Sequence, residues 1–208
     1  MVVKGSRKGV TIYQAKVTLM GVSPPVWRRF LVADEATLGI LHHILQVVMG
    51  WDDYHVHLFK VGDAEFGAPG FMSRGMKNEN GARLSKVVTG MGMKMYYLYD
   101  LGDRWLHEVV FEKSMPPEQG MNYPVCIEGK RACPPEDCGG PGGYEHFLEV
   151  IGNPEDPEHE EMLEWAGGEF DPEAFDMDEV NDVLSHLREY REMMKEEELP
   201  FRPDMIFL

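Results

Sequence analysis

The sequence predicts an α+β fold: a mainly antiparallel sheet with one helix packed after the first hairpin and a helical C-terminal segment. Three observations carry this. Residues 11–20 alternate apolar and polar side chains, Met93–Tyr99 and Trp105–Phe111 do the same on either side of a five-residue turn, and the apolar spacing turns helical after Thr37 and again after Asp176. The chain has 208 residues, 43% hydrophobic and 27% charged, which is globular usage and excludes disorder and low complexity. It reads as a single domain over 10–198. A sheet-and-helix body spans 10–113, a Cys-, Pro- and Gly-rich loop 114–143 and an acidic helical segment 144–198, with tails at 1–9 and 199–208.

In chain order, Tyr13, Ala15, Val17 and Leu19 form one face of a half-buried strand that Gly21–Pro25 interrupts before Val26–Val32 resumes. Thr37 is the N-cap of a helix closed by Gly50 at the C′ position, with Leu38, Leu41, Ile44, Leu45 and Val48 as its buried stripe. His42, His43 and Gln46 fall on the opposite, solvent-facing side of that wheel. Tyr54–Val61 reads as a third strand, 62–92 as a long loop with a short element in it, and Tyr144–Ile151 as a short helix. Asp156-Pro157 and Asp171-Pro172 each offer a cap with proline at the first helical position, and Asp176 with Glu179 opens the last helix.

Charge is uneven. Residues 145–198 hold 20 of the 36 acidic residues and only three bases, Arg188, Arg191 and Lys195, so the rest of the chain is near neutral. That distribution argues against direct nucleic-acid binding by this chain alone, which needs cations to replace condensed counterions. The acidic segment reads as a solvated helical face, or as a surface for a basic protein partner. No apolar run reaches the roughly 18 residues of a membrane span, and the basic start lacks an apolar region behind it. The expected location is cytoplasmic, with no membrane association.

Chemistry-bearing residues gather in three segments. His55-Val56-His57 on a strand would place two imidazoles on one face, about 6.6 Å apart at the backbone, able to converge on a metal with His107 as third ligand. The alternative is a pair of partly buried histidines bonded to carboxylates such as Asp52, Asp53, Asp100 or Asp103. Cys126, Cys133 and Cys138 lack the tight knuckle spacing, yet Cys133 and Cys138 bracket Pro134-Pro135-Glu136-Asp137 and could join a structural zinc site, or be reduced packing thiols. Cys138-Gly139-Gly140-Pro141-Gly142-Gly143 lacks the Lys-Ser/Thr of a phosphate loop and reads as a tight turn. Trp51, Trp105, Tyr97 and Tyr99 could line an apolar pocket, though aromatic residues on strand faces also simply fill cores.

Tyr13–Leu19 with Pro24-Pro25-Val26-Trp27-Arg28-Arg29, then Met49–His57, Tyr99–Glu108 and Arg131–Pro141, in this order, resemble the plasmid pRiA4b ORF-3-like family over about residues 11–182. The resemblance implies an α+β domain and an uncharacterised protein associated with plasmids and insertion sequences. Some relatives carry a resolvase label. Here Ser6 lies in the lead and the C-terminal segment is acidic, so that chemistry is excluded.

The three segments are expected to meet around a metal, with zinc as the cofactor, or around a small polar ligand. Ligand-binding candidates are Trp51, Asp52, Asp53, Tyr54, Asp100, Asp103, Trp105, Glu136 and Asp137; metal candidates are His55, His57, His107, Cys133 and Cys138. The favoured function is a non-enzymatic accessory or interaction module with a protein partner, metal-stabilised where a site is present. The alternative is a metal-assisted hydrolase using His55, His57 and His107.

Overall fold

The computed structural model describes residues 9–197; the predicted tails, apart from Gly9, lie outside the described residues. Eight strands form one sheet in the order β5-β4-β3-β6-β7-β1-β2-β8. They are β1 (Ile12–Leu19), β2 (Trp27–Ala33), β3 (His57–Val61), β4 (Ala64–Gly67), β5 (Lys77–Asn78), β6 (Lys94–Tyr99), β7 (Trp105–Met115) and β8 (Val125–Lys130). Every pairing is antiparallel except β4 with β5. The helices are α1 (Leu38–Met49), the single turn α2 (Leu84–Val87), α3 (Gly140–Ile151), α4 (His159–Trp165), α5 (Met177–Ser185) and α6 (Leu187–Glu197). The architecture is α+β, and no helix of the described residues is long and apolar enough to cross a membrane.

Alternation builds the core. Ala15, Val17 and Leu19 of β1, Met95, Tyr97 and Tyr99 of β6, and Trp105, His107, Val109 and Phe111 of β7 are all buried, and the apolar ones pack with Leu38, Leu41, Ile44, Leu45 and Val48 of α1. A bulge at Glu112 keeps this phase: Gln14 pairs with Lys113 but Ala15 with Phe111. The carboxylate of Glu112 accepts from Gln14 Nε2 at 2.7 Å and from Arg29 Nε at 2.8 Å on the outer face. Arg29 holds its carboxyl below the usual range against a partial burial that acts the other way.

Helix α1 is capped as its sequence dictates. Thr37 Oγ1 accepts from Ile40 N, and Gly50 takes the left-handed conformation at φ 94°. The exposed face expected at His42 and Gln46 does not exist: ten of the twelve residues are buried, His42 at 4% and Gln46 at 0% exposure. The sheet lies against one side, while α5, α6 and the 3-10 turn Glu79–Gly81 touch the helix elsewhere. Strand β3 is shorter than expected because the donors of Asp53 and Tyr54 go to the side chains of Gln46 and Tyr99, not to a neighbouring strand.

The 114–143 segment is only partly loop. Strand β7 runs on to Met115, and β8 pairs with β2 at the sheet edge. Asn181 of α5 seals that edge, its Oδ1 accepting from Cys126 N and its Nδ2 donating to Cys126 O. Asp156 and Asp171 cap turns, with the helix delayed to His159 after the first and absent after the second. Asp176 does cap α5, accepting from Asp178 N and Glu179 N, but the long last helix is split at His186 (φ −111°).

Arg28 ties these pieces together. It is 1% exposed and faces no carboxylate among the described residues. Its Nε donates to Val48 O (2.7 Å), Nη1 to Trp27 O (2.9 Å) and Lys130 O (2.7 Å), and Nη2 to Arg131 O (2.7 Å). The guanidinium carbon lies 3.9 Å from the centre of the Phe175 ring. Gly129, opposite it on β8, leaves the space: a Cβ there would come within 2.7 Å of Arg28 Cδ and 2.5 Å of Phe175. Arg28→Lys is expected to lower stability by about 3 kcal/mol, because a point-charge ammonium cannot serve carbonyls in so many directions and leaves buried acceptors unpaired. Urea denaturation checks this; an unchanged midpoint would refute the role assigned to the guanidinium.

Candidate functional site

Three segments converge beyond the C-terminus of α1: Trp51–Val56, the β6–β7 turn from Asp100 to Arg104, and the Arg131–Gly139 loop. Glu136 Oε1 accepts from Asp52 N (2.9 Å) and from the Tyr99 hydroxyl (2.8 Å), and that hydroxyl accepts from Tyr54 N (3.1 Å). Asp103 Oδ2 accepts from Gly139 N at 2.9 Å. Gly140 (φ 71°) sits so close to the turn that a Cβ would approach Asp103 O to 2.6 Å, which explains the glycine run as a packing requirement.

Beneath them Trp51, 3% exposed, has its ring centre 5.3 Å from Tyr99 and 5.5 Å from Trp105. Its indole Nε1 donates to His107 Nε2 (3.2 Å), so the His107 proton sits on Nδ1, facing Tyr97 O at 3.3 Å. Both nitrogens of His107 are therefore spent inside the core, and burial lowers its pKa to about 4.

His57 turns away from His55. Its Nε2 meets Glu79 Oε2 at 2.9 Å, both residues buried, and its ring stacks on His42 at 3.5 Å. His42 belongs to a closed circuit. Gln46 Nε2 donates to the Tyr97 hydroxyl (2.7 Å), which faces His42 Nδ1 (2.8 Å), and His42 Nε2 faces Asp53 Oδ1 (2.9 Å). Asp53 N returns to Gln46 Oε1 (2.9 Å). One proton arrangement satisfies every member: the phenol donates to Nδ1, and Nε2–H donates to Asp53. Burial lowers the His42 pKa to about 4. Burial would raise the carboxyl of Asp53, but His42 and His43 together hold it far below the usual range.

The second group is open. His55 Nε2 lies 3.1 Å from Asp137 Oδ1, 3.8 Å from Glu136 Oε2 and 3.9 Å from Asp100 Oδ2. Neither His55 Nε2 nor Glu136 Oε2, both buried atoms, makes a hydrogen bond among the described residues. Burial raises the Glu136 carboxyl although Asp52 N and Tyr99 donate to it. Of five non-glycine residues at positive φ among the described residues, three are Asp53 (58°), Asp100 (55°) and Asp137 (57°). Aspartate tolerates that region better than most residues, and such conformations persist where the surroundings impose them.

Among the described residues, the ligand groups that converge are His42/His43/Asp53 and His55/Asp100/Asp137. Neither contains His57, His107 or a cysteine. Cys133 and Cys138 are free thiols, pushed upward in pKa by burial, Cys138 to about 12. A cleft of about 790 Å³ adjoins both groups, lined in part by His43, Asp53 and His55.

Sequence reasoning missed His42, Gln46, Glu79 and Arg191. One signal was present: LGILHHILQVVM is apolar nearly all round, the pattern of a helix buried on both sides. Its few polar side chains then had to find partners inside.

The buried histidines make stability depend on pH. His42 and His107 fall from about 6.5 unfolded to about 4 folded, so between those values the unfolded chain binds more protons and stability rises with pH. Their contribution is complete above about pH 6.5 and lost on descent toward pH 4, roughly 2 kcal/mol each by pH 5. Urea midpoints are expected to be flat from pH 8 to 7 and to fall steeply from 6.5 to 5. A midpoint constant down to pH 5 contradicts the neutral, buried assignment.

Comparison with known proteins agrees with this architecture. A crystal structure of a protein of unknown function, MM3350 from Methanosarcina mazei, superposes with a TM-score of 0.76 at 38% identity, covering 83% of this chain and 99% of that one. The uncharacterized protein y4hQ of Sinorhizobium fredii is 36% identical over 180 residues, 85% of this chain and 92% of its own. The model of the plasmid pRiA4b ORF-3-like protein family matches residues 11–179, and the chain belongs to that family.

Proposed function

We propose that this protein is a non-enzymatic accessory module whose three-segment junction is clamped by one divalent cation held by His55, Asp100 and Asp137, with Glu136, 3.8 Å from the His55 nitrogen, as a further ligand. The observation that carries the reading is the pair of unpaired buried atoms, His55 Nε2 and Glu136 Oε2, facing each other at 3.8 Å beside two further carboxylates. An imidazole nitrogen without a hydrogen bond, set among carboxylate oxygens, is the kind of mixed donor set a divalent cation takes. One nitrogen and three oxygens suit zinc or manganese, with zinc the tighter.

The His42 circuit does not compete for the ion. Using Nε2 as a ligand would move the His42 proton to Nδ1 and leave the buried Tyr97 phenol without an acceptor. His57 is engaged by Glu79 and His107 by Trp51 and Tyr97, so of the three histidines expected to converge on a metal, His55 is the one whose ring nitrogen at the junction makes no hydrogen bond among the described residues. The solvated acidic surface of the C-terminal helices suits a basic protein partner. A second reading, a metal-assisted hydrolase, draws on one feature: His55 also lines the cleft, so a bound ion could face it.

Calorimetric titration of zinc and of manganese into chelator-treated full-length protein tests the centre. One equivalent is expected to bind and raise the melting temperature. Affinity should fall at least tenfold in Asp137→Asn, an exposed position, and in His55→Ala, while Cys133→Ser and Cys138→Ser bind as the wild type does. Absence of binding, or equal binding by Asp137→Asn and His55→Ala, would overturn the assignment. Loss confined to the cysteine variants would move the ion to the thiols.

A further inference from the structure

We propose that the cleft beside this centre binds a small molecule carrying a phosphate or carboxylate group, taken by Arg191 and His43, with a planar or apolar body against Tyr54 and Phe71. The inference builds on the cation reading in one respect, that His55 belongs to both. The volume, about 790 Å³, lies within the usual range for small-molecule sites.

Charge selects the ligand class. Among the described residues that line the cleft, Arg191 is the only lysine or arginine, in a chain of formal net charge −16. Its neighbour Arg188 shows the ordinary alternative: 84% exposed, it pairs with Glu192 at 3.3 Å on the same helix. Arg191 instead has a buried Nε that lacks a partner among the described residues. A desolvated guanidinium N–H without an acceptor is unfavourable until an anion supplies one.

The cleft's own carboxylates do not fill that place. Asp53 is held by His42 at 2.9 Å and Glu79 by His57 at 2.9 Å. His43 Nδ1 is a second buried atom without a hydrogen bond, 3.5 Å from Asp53 Oδ2. The walls are less polar: the turn Pro69–Phe71 lines the cleft, as do Met194 and Tyr54, a side chain 71% exposed and free to stack on a flat body. An anion entering here meets Arg191 and His43 and, where a cation occupies the His55 centre, that ion as well.

Calorimetry of the full chain with phenyl phosphate and with benzoate, each in zinc-loaded and chelator-treated protein, separates the two anion types. At least one should bind, with Arg191→Met weakening it tenfold or more and Arg188→Met leaving it unchanged. The cleft reading is overturned if neither probe binds, or if Arg191→Met binds as tightly as wild type. Zinc binding with no Arg191-dependent ligand leaves the cation centre standing and sinks the cleft. Arg191-dependent binding in protein that takes up no zinc supports the cleft and sinks the cation centre.

Discussion

The guanidinium of Arg28 is the constraint on which the candidate site depends. A cation buried without a carboxylate is tolerable only where fixed dipoles replace the counterion. Here those dipoles are carbonyls of Trp27, Val48, Lys130 and Arg131. Val48 belongs to the last turn of α1, where the unpaired carbonyls of a helix end favour positive charge. Lys130 and Arg131 are where β8 ends and the loop to Gly139 starts. One planar side chain therefore fixes the exits of α1 and β8 relative to each other, and the segments leaving them carry His55 on one side and Glu136 and Asp137 on the other.

Two polar clusters built on this frame differ in a way that hydrogen-bond accounting exposes. Around His42 the donors and acceptors close on themselves through Gln46, Tyr97 and Asp53. Such a circuit fixes a proton arrangement and holds Asp53 in its left-handed backbone. Around His55 the carboxylate oxygens stand farther off, at 3.1–3.9 Å from Nε2, and complete no hydrogen bond to it among the described residues. Proximity is common to both clusters, and each leaves atoms over: His43 Nδ1 at the edge of the first, His55 Nε2 and Glu136 Oε2 in the second, where no closed circuit surrounds them.

What the sequence made legible follows from how local each signal is. The β6–β7 hairpin and the caps at Thr37 and Gly50 are decided within a few residues, and they form as expected. Strand β8 is decided elsewhere: a short segment that follows Pro124 and contains Gly129 becomes a strand because β2 and the Asn181 amide supply its partners. His42 was misread because a helical wheel reports which residues share a face and says nothing about whether a second layer covers it. For the site, the residue types and the three segments were visible in the motifs. The division of labour among histidines was not, because it turns on the irregular backbone at Asp53–Val56, which sends His55 and His57 to different partners.

That division also changes what the Cys133–Cys138 segment needs. A proline- and glycine-rich loop with little core of its own invites a metal tied by its thiols. The loop is instead fastened at its entry by Arg28 to the Arg131 carbonyl, in its middle by Glu136 to Tyr99 and Asp52, and at its exit by Asp103 to Gly139. Burial keeps the two sulfurs protonated. The loop can hold its shape by these bonds, so a cation at His55 would act on what remains loose: Asp137, whose side chain is 71% exposed. The ion's leverage would then fall on the tip of the loop that borders the cleft, coupling its occupancy to the shape of the neighbouring pocket more than to the stability of the fold.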